Sequence, residues 1–237
     1  MISAGRTRHG PRTAGAANEQ DDEGGRRALS VDAYNHIRTA LIRSRYRMGQ
    51  RLVLRPLAAE LGLSPTPVRE ALLRLVSEQA LELNDRNTAV VPDITQASFL
   101  EIHNLRIDLE SRLVQAAAVR ATSAEIEALS ALNDSFLVAC ERHDEGSMAA
   151  SNADFHALLA NVADLPLTAN ILHSLWARVG PIYALARTGP PPRASGVAHP
   201  HDELLAALRA RNPEDARQAL VRDFEYARKW IEPLLPV

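Results

Sequence analysis

A single cysteine, Cys140, stands in 237 residues, so no internal disulfide framework holds this chain. The thiol is read as filler of a helix core rather than as chemistry. Long apolar runs are also missing. Nothing approaches the roughly 18 residues of a membrane span, and no apolar signal segment opens the chain, so a cytoplasmic location without a membrane partner is expected. Aromatic residues make up only 4%, yet 46% hydrophobic content suffices for packed helical cores in one large or two medium domains. A net charge of −2 excludes a protein that is basic throughout. The charge is unevenly placed, however: residues 1–94 hold 14 Arg against 11 Asp/Glu, net +3, and residues 95–237 hold 13 Arg/Lys against 18 Asp/Glu, net −5. That asymmetry fits a nucleic-acid-facing front half. Residues 1–28 have hardly any large apolar side chain to offset the entropy of ordering, and a disordered tail is expected there.

The most organised stretch is Arg55 to Val76, RPLAAELGLSPTPVREALLRLV. Leu57, Ala58 and Leu61 fall at helical spacing, and Gly62 ends that helix because a residue without Cβ takes a left-handed C-terminal cap. Leu63 plugs the gap, Ser64 or Thr66 caps the next helix, and Pro65 and Pro67 sit in its first turn, where a missing N–H costs little. Val68, Leu72, Leu75 and Val76 then repeat with helical period. This is the pattern of a helix-turn-helix that enters the major groove, and equally that of an ordinary αα-hairpin. A preceding helix is expected from Ser30 to about Arg47, buried through Val31, Tyr34, Ile37, Leu41 and Ile42 and stopped by Gly49. After the hairpin, 80–83 and 89–91 read as short strands joined by the turn formers 84–88, a wing with Arg86 at its tip.

Residues 95–237 read as six helices with short connections, an antiparallel bundle. Thr95 caps the first and Thr122-Ser123 opens the second. Met148 to Val162 is the third, Leu165-Pro166 to about Ala186 the fourth, and the last two flank a hinge at Asn212-Pro213. The segment from Thr188 to Pro200, rich in Pro and Gly, is expected as loop. Asn152 and His156 share a helix face. His201 and Asp223 stand at equal distances from the hinge, so a hairpin there places them level. Imidazoles with oxygen donors suit a divalent ion such as zinc, nickel, manganese or iron.

The run RLVLRPLAAELGLSPTPVREALLRL with its polar wing closely resembles the GntR family of bacterial transcriptional regulators. The resemblance implies DNA contacts from Arg55, Ser64, Thr66 and Arg69 and from the wing at Arg86 and Thr88. Pro65 departs from it where many members carry arginine, and Asn87 where the wing often has glycine. HNLRIDLE at 103–110, NADFH at 152–156 and HDELLAAL at 201–208 resemble the FCD effector domain of the FadR subfamily. That likeness implies a divalent metal (Zn, Ni or Mn) on Asn152, His156, His201 and Asp223, with Asp223 standing where a histidine is usual. It also implies a small organic-acid effector at Arg106, which could instead form a salt bridge to Asp108 or Glu110; Tyr183, flanking the Pro-rich loop, is placed to shape the pocket mouth.

The expectation is therefore a mainly α protein: a disordered tail (1–28), a winged helix-turn-helix (29–94), and an all-helical FCD-type bundle of six to seven helices (95–237). It is not an enzyme but a ligand-responsive repressor, binding a palindromic double-stranded DNA operator as a homodimer. Two other readings stay open, a metal-dependent helical enzyme with a DNA-binding appendage and a regulator whose bundle only dimerises.

Overall fold

The computed structural model describes residues 15–185 and 199–237, with the backbone alone for 15–23. Expectations for residues 1–14 and for most of the Thr188 to Pro200 loop lie outside the described residues. Helix α1 spans Gly15–Ile42. It begins ahead of Ser30, so residues 15–28, expected as tail, are helical. Ala16, Ala17, Glu19 and Gln20 have high helix propensity, which needs no buried face to act. It also stops at Ile42, short of Arg47. Ser44 takes a left-handed φ of 57°, and its hydroxyl donates to the Gly180 carbonyl at 2.7 Å, so a tertiary contact ends the helix before Gly49. Tyr34, Ile37 and Leu41 are buried as expected, whereas Val31 is exposed.

The helix-turn-helix forms from α2 (Leu54–Glu60) and α3 (Pro65–Ser77). Gly62 between them has φ +66°, the left-handed cap that its lack of Cβ allows. Val68, Ala71, Leu72 and Leu75 pack α3 onto α1. The wing is a three-stranded antiparallel sheet, β1 (Arg51–Leu52), β2 (Glu82–Leu83) and β3 (Ala89–Val90), ordered β1-β3-β2. Strand β1 has only two residues, too short for alternation to mark it in the sequence. At the wing tip the Asn84 side-chain oxygen accepts from the Arg86 and Thr88 amides, both at 3.0 Å. Asn87 sits at φ 54°, a conformation glycine and asparagine share more readily than other residues, so the departure from glycine leaves the turn intact.

The second half is the expected all-α bundle: α4 (Gln96–Arg120), α5 (Ser123–Glu141), α6 (Glu145–Ala163), α7 (Pro166–Tyr183), α8 (Pro200–Arg209) and α9 (Pro213–Ile231), closed by a 3-10 turn at Glu232–Leu234. Thr95 caps α4 as expected. At the start of α5, Thr122 and Glu125 form a capping box, and Asn212, read as a hinge, caps α9 through the amides of Glu214 and Asp215. Helix α4 packs on α6, α7 and α9, and α8 on α9. Phe155, Leu159, Leu172, Leu204, Leu208 and Leu220 lie in the core, each at most 2% exposed. Leu105 and Ile171, although apolar, are exposed.

Head and bundle share a junction. Ala177 of α7 belongs to the same buried cluster as Ile37, Leu41 and Leu75 of the head. Arg43 reaches Asp154 of α6 with three hydrogen bonds of 2.7, 2.9 and 3.1 Å, and Gly180 lets the end of α1 lie against α7.

Candidate metal centre and DNA-reading face

The α8–α9 hairpin folds at Asn212 and brings His201 level with Asp223, while α4 and α6 carry Glu110 and His156 to the same place. His156 Nε2 and His201 Nε2 each lie 3.6 Å from Asp223 Oδ2. The three candidate donor atoms fall within 4.8 Å of one another. Donors held about 2.1 Å from one ion at tetrahedral angles stand roughly 3.4 Å apart, so the two separations from Asp223 fit a zinc-sized cation.

Protonation is set by what lies behind each ring. Asn133 donates its amide N–H to Asp202 Oδ1 at 2.7 Å, so its oxygen accepts from His201 Nδ1 at 3.2 Å. In the neutral ring Nε2 then carries the lone pair, and this atom is buried without a hydrogen-bond partner. His156 Nδ1 stands 3.0 Å from Glu110 Oε2 and donates there, which turns its Nε2 towards Asp223. Two imidazole lone pairs aimed at a carboxylate oxygen repel unless a cation or a proton lies between them. Carboxylate or amide oxygens behind metal-binding histidines are the usual means of fixing that orientation.

Charge confirms the competition. Burial disfavours the His156 cation, but hydrogen bonds with Asp223 and Glu110 outweigh it and raise the group to about 9. Burial likewise disfavours the Asp223 anion; the charge of His201 and the hydrogen bonds of His156 and His201 hold it well below the ordinary carboxylate range. For Glu110 the Arg106 charge and the His156 and Trp176 hydrogen bonds overcome burial and bring it down to about 2. Without metal, His156 raised above its unfolded value stabilises the fold fully below about pH 6.5, and that contribution, on the order of 3 kcal/mol, is lost as pH rises through about 9. A metal must displace this proton, so zinc affinity is expected to rise about tenfold per pH unit up to about 9 and then level off. Melting curves at several pH values, with chelator and with zinc, should show these opposite trends; a zinc effect independent of pH would sink the assignment.

Of the other expected site residues, Asn152 lines the adjoining cavity, as do Arg106 and Tyr183. Arg106 Nε donates to Glu110 at 2.8 Å and Nη1 to the Tyr183 hydroxyl at 2.9 Å, so Glu110 rather than Asp108 takes the salt bridge. Glu110 also accepts from Trp176 Nε1 at 2.7 Å. One carboxylate thus ties the pocket arginine to a candidate metal ligand. Sequence reasoning missed it as a site residue, though its place one turn after Arg106 was a usable signal. Asn133 had none, because its role exists only through a contact between α5 and α8.

On the head, Arg55, Ser64, Thr66, Arg69 and Arg86 are exposed and Thr88 is half-buried. Ser64 is the N-cap residue of α3 but makes no side-chain capping bond. Arg74, by contrast, stacks over the Tyr34 ring at 3.8 Å and pairs with Glu78 at 3.1 Å.

A family model for bacterial regulatory proteins of the gntR family matches residues 29–91, and one for the FCD domain matches residues 101–226. The HTH-type transcriptional regulator McbR of Escherichia coli is 30% identical over 194 residues, covering 81% of this chain and 88% of McbR. The chain belongs to the GntR family. It is a transcriptional regulator with an FCD domain, not an enzyme. A solved structure of E. coli McbR/YncC superposes with a TM-score of 0.78 at 30% identity, covering 87% of this chain and 96% of that one. A GntR regulator from Rhodococcus sp. RHA1 shares the fold at a TM-score of 0.65 and 21% identity, covering 86% of this chain and 97% of its own. No described helix is long and apolar enough to cross a membrane.

Proposed function

We propose that this regulator is a ligand-responsive repressor that binds a palindromic operator as a homodimer. Residues 29–94 form its reading head and 95–237 its effector-binding and dimerisation domain. Arg55, Ser64, Thr66 and Arg69 contact DNA at α2 and α3, and Arg86 and Thr88 at the wing. A divalent ion (Zn, Ni or Mn) held by His156, His201 and Asp223, with Asn152 beside them, supplies a fixed positive charge for the carboxylate of a small organic or sugar acid. Arg106, braced by Glu110 and Tyr183, supplies a second. The observation that carries the reading is the buried His201 Nε2, which has no hydrogen-bond partner and lies in a cluster of matching donors. Effector binding then shifts the placement of the heads by its differential affinity for two arrangements.

The DNA-binding half is tested with DNA from the protein's own promoter region. Binding is expected to weaken steeply with salt. Losing a base-reading arginine costs about 1–3 kcal/mol, and a dimer loses two, so Arg69→Ala should raise Kd on the order of a hundredfold. Arg74→Ala, which removes a contact internal to the head, should change Kd by less than about threefold, since surface substitutions away from such sites stay near ±0.5 kcal/mol. Equal losses from the two variants would count against this docking.

A further inference from the structure

The cavity beside the cluster is larger than an ion needs, and part of its wall belongs to the DNA-reading head. It encloses about 340 Å³, the lower end of the range for small-molecule sites. Asp223, His156 and Arg106 line it beside the cluster, and Glu145, Asn152 and Tyr226 also bring polar groups to its wall. From Asp223 the wall continues along α9 to Ala227, Trp230 and Ile231. Trp230 lies two helical turns beyond Asp223, about 10 Å at 1.5 Å per residue. Val179 and Gly180 of α7 add to it, and so do Ile42 and Ser44 at the end of α1. Two polar groups of this wall are committed: the Ser44 hydroxyl donates to the Gly180 carbonyl, and the Tyr183 hydroxyl accepts from Arg106.

We infer that the cavity takes an amphipathic monocarboxylate, its carboxylate at the Arg106 and Asp223–histidine end and its apolar chain along α9 against Ile42. The inference rests on the cavity being the effector site and narrows the ligand class from organic or sugar acids in general. A sugar acid would press its hydroxyls against Ile42, Val179 and Ile231, where they lose water and gain no partner. An alkyl chain loses nothing there and gains burial. Because Ile42 belongs to α1, the chain touches the head itself. Occupancy therefore bears on the α1–α7 contact directly, without a relay through the bundle.

The test is calorimetric titration of the zinc-loaded full-length protein with acetate, butyrate, hexanoate, octanoate and gluconate. Affinity is expected to rise on the order of tenfold for every two methylenes added, with gluconate no tighter than acetate. Ile42→Ser should flatten the series while leaving acetate unchanged. Trp230→Ala should do the same, and since Trp230 is 41% exposed it tolerates truncation if the Ile42 variant fails to fold. Octanoate, but not acetate, should change the affinity for promoter DNA. A flat series, gluconate binding more tightly than octanoate, or octanoate binding without any effect on DNA would each overturn the inference and leave the carboxylate site standing. Absence of binding by every acid would remove the site reading and this inference together.

Discussion

Gly180→Ala is expected to destabilise the protein by about 2–3 kcal/mol, in the upper part of the range for overpacking, and to loosen the head from the bundle. A Cβ built on Gly180 would overlap the carbonyl oxygen of Leu41 and come within 2.9 Å of both the Ile42 Cα and its carbonyl oxygen. All three are backbone atoms, so no rotamer change relieves the clash; α1 and α7 must move apart. Two contacts depend on their approach, the Ser44 hydroxyl on the Gly180 carbonyl at 2.7 Å and the Arg43–Asp154 pair at 2.7 Å. Helix propensity acts the other way, favouring Ala by about 1 kcal/mol, but it is the smaller term. Gly146→Ala provides the control: a Cβ there meets only the Asp144 side chain, at 3.7 Å, so the same substitution should be neutral or stabilising by up to about 1 kcal/mol. Thermal melts measure both, with a loss of about 4–12 °C expected for Gly180→Ala at 2–4 °C per kcal/mol. If the two variants melt together, the close approach of α1 to α7 is not what holds the junction.

What could be read in the sequence was local or symmetric about a local feature. Gly62, the paired prolines of α3, the cap at Thr95 and the helix boundaries at Thr122 and Asn212 each act within a few residues, and each does so in the structure. The meeting of His201 with Asp223 was also legible, because a hinge midway between them makes their level a matter of counting. The end of α1 was not. Gly49 is the stronger stop signal in isolation, but the contact of Ser44 with α7, far along the chain, wins. The same holds for Asn133, whose oxygen sets the tautomer of His201 from another helix, and for Ile42 and Ser44 as cavity wall. Nor could spacing show that Arg74, off the apolar stripe of α3, stacks on Tyr34. Periodicity gives the face a residue occupies; the partner that fills that face comes only from the fold.

Replacing His156 and His201 together by Ala should abolish all response of the protein to zinc. At a free ion concentration of a hundred Kd, a metal that binds only the folded state adds about 2.7 kcal/mol, which is about 5–11 °C of melting temperature for a chain of this size. Wild-type protein treated with chelator should lose that increment and the double variant should have none to lose. The comparison within each protein, with and without zinc, is the decisive one, because the substitutions also remove packing: His201 stacks on Phe155 with ring centroids 4.2 Å apart. Asp223→Asn should give an intermediate result. It keeps both imidazoles but removes the negative charge that faces them, so zinc binding weakens without disappearing, and the pH dependence of the chelated protein flattens because His156 loses one of its two carboxylate partners. Elemental analysis of wild-type and double-variant protein purified without added metal gives an independent reading. Equal metal contents, or a wild type whose melting ignores both zinc and chelator, would mean that the His156–Asp223 pair is bridged by a proton, and the cavity would then bind its ligand through Arg106 alone.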